Sequence, residues 1–318
     1  MSSRPVFPAP DQVPALVPQP GSVVWRYAGD ARLLATAGYA LLLQVAHPTV
    51  GAGVSQHSNF KADPWGRLLR TLDYTYTMVY GGPELAASMG RRVREMHKPI
   101  RGIKPDGEPY HALEPGAYAW VHATLAEAIV TGHRHFGRRM SEVEVERFYA
   151  DWRANGRLVG VREGDLPEDW TAFRGYLERM IDERLESTES VQDVLSAITD
   201  PAAPPVPGLG DAAWRAVRIP AVRLLSLATV GLLPAHLRER FGVQWTRAQE
   251  RELRALSALS RSATPLMPAS LRNVGPRYLR WRRRAIAGDA GGWERTAGAG
   301  ATAPAGTTAP AGTTAPAN

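Results

Sequence analysis

The sequence contains no cysteine. That absence removes disulfide bridges, Cys-ligated zinc, iron–sulfur clusters, thiolate-ligated haem and every cysteine nucleophile. Any metal must be held by His, Asp or Glu, or arrive inside a cofactor. Lysine is nearly missing as well: Lys61, Lys98 and Lys104 are the only three, and the other 35 basic residues are arginines. Such a bias, alongside much Ala and Gly, is read as base composition of the source genome rather than function. There is no Gly-rich phosphate loop, no Gly-x-Ser-x-Gly elbow and no His-Glu-x-x-His pair. No basic-aromatic platform or DNA-binding motif is visible, so no nucleic-acid partner is expected. Residues 1–24 lack the continuous apolar core of a signal peptide. The longest apolar stretch, Leu33 to Val54, is long enough to span a bilayer. It contains Gln44, His47, Pro48 and three glycines, with Arg32 at its edge, which fits a buried helix broken at Pro48 better. No transmembrane segment is expected, and the protein is read as cytoplasmic.

What is present points to helices. At 318 residues, with 44% hydrophobic and 22% charged, the chain is long enough for one large globular domain with loose ends. Residues 1–22 carry six prolines and read as a flexible arm; 287–318 are an Ala/Gly/Thr/Pro repeat tail that cannot bury a core and reads as disordered. The body is 23–286. Asp30 opens a helix expected to run to His47. Asp63-Pro64, a cap followed by Pro at the first helical position, opens one to about Tyr80. Gly81-Gly82-Pro83 ends it and starts the next, from 84 to about 98. Further helices are expected at 115–136, 141–156, 168–185, 189–198, 212–240, 246–262 and 269–286. Ser141 with Glu144 makes a capping box. Strand-like alternation is scarce, so the fold class is all-α, with a proline-rich link at 201–207.

The net charge of +7 is concentrated: Arg272, Arg277, Arg280, Arg282, Arg283 and Arg284 fall together with no acid among them. This run is either a solvated helix face or a patch for an anionic surface, which leaves room for peripheral membrane contact. Among eight histidines, His133 and His135 flank Arg134 near a helix end, a solvated or capping position, and His236 follows Pro234 in a local role. His47, His57, His97 and His122 lie among apolar segments. The one Glu-x-x-His spacing, Glu108 to His111, contains Pro109 and falls in a loop, which argues against a di-iron bundle.

Spacing favours one histidine. Arg67, Arg70 and Thr71 lie at i, i+3 and i+4 on one helical face, and Arg94 and His97 at i and i+3 on the next helix. If the turn at Gly81-Gly82 makes an antiparallel hairpin, Arg67 and His97 sit at nearly the same height, offset by roughly 1.5 Å. The alternative is that these arginines pair on the surface with Asp73, Glu84 or Glu95.

Several strings together resemble one family. They are Leu43-Gln-Val-Ala-His-Pro48, Gln56-His-Ser-Asn-Phe60, Asp63-Pro-Trp-Gly-Arg-Leu-Leu-Arg-Thr71, Val93-Arg-Glu-Met-His-Lys-Pro-Ile-Arg-Gly102 and Trp120-Val-His-Ala-Thr124. Leu232-Leu-Pro-Ala-His-Leu-Arg-Glu-Arg-Phe-Gly242 and Leu266-Met-Pro-Ala-Ser-Leu-Arg272 add to them. The family is that of the latex clearing protein (rubber oxygenase) and the fungal mycophenolic acid pathway oxygenase, and the resemblance covers about 25–285. It implies an all-α fold holding haem b, dioxygen as a reactant, and an apolar, unsaturated or isoprenoid substrate cleaved to carbonyl products. An electron donor is a further partner to consider. By motif match, His97 in Arg94-Glu-Met-His97 is the proximal iron ligand, and Arg67 and Thr71 are the distal, catalytic pair. Arg70 stands where the rubber oxygenase has Lys, and the Arg67-to-His97 spacing is a few residues shorter. The glutamate proposed there as base has no clear match. Arg67, Arg70 or Arg94 would then pair with a haem propionate. Adjacent packed helices lie about 8–10 Å apart, so a haem there requires the hairpin to splay or Arg67 to reach over. Otherwise the distal groups come from the His47–His57 segment, with His57 and His122 as reserve ligands. The rival reading is a non-catalytic haem- or lipid-binding protein docked through its arginine run.

Overall fold

Caps written in the sequence start helices where they were expected. The computed structural model describes residues 7–58, 62–201, 203 and 210–288. Asp63 Oδ1 accepts from the Gly66 amide at 2.8 Å with Pro64 at the first position. Ser141 and Glu144 exchange both bonds of a capping box. The helices are α1 Val13–Leu16, α2 Val23–Tyr27, α3 Ala37–Val45, α4 Pro48–His57, α5 Pro64–Tyr80, α6 Gly82–His97, α7 Pro115–His135 and α8 Glu142–Gly156. They continue as α9 Trp170–Glu183, α10 Glu189–Thr199, α11 Asp211–Gly231, α12 Ala235–Arg240, α13 Arg247–Ser262, α14 Ala269–Arg272 and α15 Gly275–Gly288. Among the described residues the only sheet is a hairpin of β1 Arg101–Ile103 and β2 Pro109–His111, with Gly102 opposite Tyr110. The fold is all-α, as expected.

Two helices form the centre. α7 is buried along almost its whole length and packs on α3 and α8. The Trp120 indole, fully buried, donates to the Leu43 carbonyl at 2.8 Å and ties α7 to the end of α3. α7 is not apolar: His122, Thr124, Glu127, Thr131 and His133 are all buried in it. Each of these finds a partner. Glu127 is held by Tyr39, Thr131 and Arg174. His133, expected in a solvated or capping position, is buried against the Tyr27 carbonyl at 2.9 Å. Nothing near His133 in sequence announces that partner on α2.

Other departures have equally local causes. Asp30 caps a 3-10 turn, Ala31–Thr36, before α3 begins. The chain does break at Pro48, yet it resumes at once as α4, bent by 104° from the segment before it. Among the described residues no single helix is long and apolar enough to cross a membrane. The helix expected over 212–240 divides at Pro234 into α11 and α12, while Pro220 is accommodated inside α11. The 269–286 helix likewise divides into α14 and α15. From Phe7 onward the proline-rich arm lies on the body, with Val13, Leu16 and Val17 buried. Most of the 201–207 link, and the tail beyond Gly288, lie outside the described residues.

The arginine run contributes one internal clamp. Arg282 donates from Nε and Nη2 to the two oxygens of Asp73 at 3.0 and 2.7 Å, and the Tyr278 hydroxyl donates to the same carboxylate at 2.7 Å. Asp73 is only 1% exposed, so these bonds hold α15 against α5. Arg282→Met leaves that carboxylate buried without its cation, and should cost about 3–5 kcal/mol of unfolding free energy in a urea titration. Arg277 and Arg280 remain exposed, beside Trp281 at 69%.

Candidate functional site

α5 and α6 form the expected antiparallel hairpin, turning through Gly81 and Gly82; Gly82 takes a φ of +76°, which a residue with a side chain rarely adopts. Against the α5 face lies a cavity of about 770 Å³, walled by the 3-10 turn and α3, α5, α7 and α10, with Leu225 of α11. Its surface is dominated by aliphatic side chains. Arg67, Thr71, Gln44 and Asp193 supply polar groups to it. That combination of apolar walls and few polar groups, at this size, is the usual form of a small-molecule site.

Arg67 is deeply placed. Its Nη1 donates to Ser58 Oγ at 2.8 Å. Burial, with a further push from the Arg70 charge, lowers its pKa to about 10, so the guanidinium remains charged at neutral pH. Thr71 sits one turn on, at the more open side, its hydroxyl donating to the Arg67 carbonyl at 3.1 Å. His97 ends α6. One ring nitrogen, Nδ1, lies 2.7 Å from the Val93 carbonyl. A carbonyl only accepts, so Nδ1 carries the proton and the lone pair is on Nε2, which has no hydrogen-bond partner among the described residues. Burial lowers the pKa of His97; the Val93 bond opposes this, and the Arg67 charge lowers it further. The ring is therefore neutral at pH 7. Tyr118 of α7 meets it edge-on, with centroids 5.7 Å apart.

The five residues singled out from sequence thus divide. Arg67 and Thr71 line the cavity; His97 does not, but lies within the field of Arg67. Arg70 turns back to Asp63, 3.2 Å away, the residue that caps its own helix. Arg94 lies over the Phe7 ring and beside Gly160. Neither lines the cavity. Of the surface acids offered as alternative partners, Asp73 is taken by Arg282 and Glu95 by Lys98. Each reserve ligand has one ring nitrogen on a carbonyl. His57 bonds the Arg101 carbonyl on the hairpin, and His122 donates to the Trp152 carbonyl while stacking on that indole. Sequence reasoning missed Ser58, Tyr118 and Asp193. Ser58 sits inside a quoted string; Tyr118 and Asp193 arrive from α7 and α10 and leave no local signal.

Residues 25–262 match the family model described as ER-bound oxygenase mpaB/B'/Rubber oxygenase, catalytic domain. The chain belongs to that family. Among curated proteins, an uncharacterized protein of Mycobacterium tuberculosis and one of Mycobacterium bovis are each 27% identical over 232 residues, covering 72% of this chain and 87% of theirs. No solved structure matches significantly. Membership in the mpaB/rubber oxygenase family makes this an oxygenase-like chain. Among the described residues, no three His, Asp or Glu side chains are placed to hold a bare metal ion. A single neutral imidazole such as His97 suits an iron that brings its own equatorial donors.

Two buried imidazoles away from the cavity make acid stability predictable. Burial lowers the pKa of His47 and of His122 to about 4, offset in part by the Glu114 charge and by the Trp152 carbonyl respectively. The unfolded chain takes up these protons near the ordinary histidine value of about 6.5. Stability from these two rings is therefore full above that pH and drains away as pH falls towards 4, by roughly 3 kcal/mol per ring. Urea midpoints measured from pH 7 to pH 4 should fall steadily; a flat profile contradicts the assignment.

Proposed function

We propose that this chain is a haem b-dependent oxygenase that uses dioxygen on an apolar molecule, an unsaturated or isoprenoid carbon chain in particular. The observation that carries the reading is the His97 ring. Its proton is fixed on Nδ1 by Val93, its Nε2 has no hydrogen-bond partner among the described residues, and the ring feels the charge of half-buried Arg67, which lines the apolar cavity. When bound, haem b supplies iron that activates dioxygen. His97 is the residue that would hold it, and the Val93 carbonyl keeps the ring in the ligating tautomer. Arg67 stabilises negative charge developing on oxygen in the cavity, where aliphatic walls strengthen the interaction. Thr71 offers a rotatable hydroxyl to the same space. Arg70 and Arg94 are the residues that would pair with the carboxylates of the haem, in exchange for Asp63 and the Phe7 ring.

Cleavage of one alkene by one dioxygen gives two carbonyl products and balances without an outside reductant. Insertion of a single oxygen atom needs an electron donor. The test is oxygen uptake by hemin-supplied protein with squalene, without and with a reductant. Uptake accompanied by aldehydes or ketones supports the reading; a haem-loaded protein inert towards squalene, geranylgeraniol and linear alkenes contradicts it.

One observation favours docking on an anionic surface as a second property: exposed Arg277 and Arg280 lie within the turn before exposed Trp281 on α15. Phosphatidylglycerol vesicles should co-sediment the protein at low salt and release it at about 0.5 M, where screening shortens to a few ångströms. Binding that salt leaves unchanged rules out the electrostatic account.

A further inference from the structure

A second void lies outside the main cavity. It has a volume of about 400 Å³ and lies between the 3-10 turn, α11 and α13, with Ala221 and Leu256 in its walls. Two side chains, Leu34 and Leu225, line both this groove and the inner cavity. The two spaces therefore share a wall made of leucine side chains. Leu34 is 44% exposed, and an exposed leucine changes rotamer within nanoseconds. The other leucine sits on a helix with reason to yield. Pro220 removes one backbone hydrogen bond from α11 a little over a turn before Leu225, and the residues preceding it are mostly exposed.

The polar groups of the groove are already committed. Arg32 donates from Nε and Nη2 to both oxygens of Asp30 at 2.9 and 2.6 Å, and from Nη1 to Thr264 at 2.7 Å. The Ser260 hydroxyl donates to the Phe136 carbonyl at 2.6 Å. What remains for a ligand is hydrocarbon surface. An ionised headgroup placed here would lose water and gain no partner.

We propose that the groove is a tail site. It holds the uncharged hydrocarbon end of an elongated molecule whose other part lies in the inner cavity beside Arg67 and Thr71, with Leu34 and Leu225 as the gate that sets the length accepted. The inference rests on the apolar-substrate reading of the cavity but not on its iron chemistry. It names the substrate class as chain-like and non-ionic at the tail.

The experiment is displacement of Nile red from the full-length protein, as purified, by octanol, decanol, dodecanol, tetradecanol and hexadecanol. Each further methylene that enters the groove should tighten binding about fourfold. Ala221→Trp fills only the outer groove, at an exposed position where the fold tolerates bulk. It should leave octanol affinity unchanged and flatten the gain for the longest alcohols. Leu225→Trp should flatten it at the same length or earlier. A wild-type series that stops improving at octanol overturns the proposal. So does an Ala221→Trp series that superimposes on wild type, or one that loses octanol and hexadecanol alike. Because alcohol binding requires no iron, a protein that refuses added hemin yet passes this test defeats the oxygenase reading and leaves the tail site standing. A haem protein that fails it defeats the tail site alone.

Discussion

His97→Ala should abolish stoichiometric haem uptake while leaving the fold intact. The side chain is one partly buried ring at the end of α6, touching Tyr118 and its own helix at Val93. Its removal costs on the order of 1–2 kcal/mol of stability, so far-ultraviolet circular dichroism should not change. Haem binding should respond differently, because His97 lies within the field of Arg67 and its Nε2 has no hydrogen-bond partner among the described residues. His122 and His133 are buried on α7, each with one ring nitrogen on a carbonyl. His97→Gly offers a sharper version: added imidazole should restore a Soret band. A variant that takes up hemin with an unchanged spectrum would falsify the ligand assignment without touching the fold.

The second large effect belongs to Arg67. Arg67→Met keeps most of the side-chain length and removes the charge. If that charge stabilises the oxygen species of the reaction, oxygen consumption should fall about 10²–10³-fold, the usual loss on deleting one such donor from a sheltered site. Haem content should be unchanged. Stability should hold or rise, because burial already opposes this cation and lowers its pKa to about 10. A structural role predicts the reverse pattern, a less stable protein with normal turnover per haem. Arg67→Lys should recover only part of the rate, since an ammonium is a point charge without the planar fork of donors. Thr71→Val removes one hydroxyl and should cost about tenfold, equivalent to a single hydrogen bond.

The helices were legible because their start signals are short-range. Asp63-Pro64 and Ser141 with Glu144 act within three residues, so a linear reading recovers them. The hairpin of α5 and α6 followed from two adjacent glycines and simple counting, and it does bring Arg67 near His97. What spacing could not give was the direction in which a long side chain turns. Arg70 shares a helical face with Arg67, yet its guanidinium reaches back to Asp63. Arg94 sits one turn before His97 and ends over Phe7, a residue from the distant amino-terminal arm. The same holds for burial. His133 reads as a helix-end polar residue because its carbonyl partner, Tyr27, lies 106 positions away. The helix expected at 115–136 is α7, but its burial was not legible, because the polar residues His122, Glu127 and His133 are enclosed by partners from other helices. Asp193 entered the cavity wall only when α10 packed beside α3. The cavity itself, assembled from segments between residues 28 and 225, has no linear signature at all.

If His97 ligates a haem, the protein is coloured when haem is supplied during its synthesis. The measurement is the ultraviolet–visible spectrum of protein purified from cells supplied with a haem precursor, with a pyridine haemochrome assay on the same sample. A Soret band and about one haem b per chain are expected. A colourless protein that also refuses added hemin contradicts haem ligation by His97.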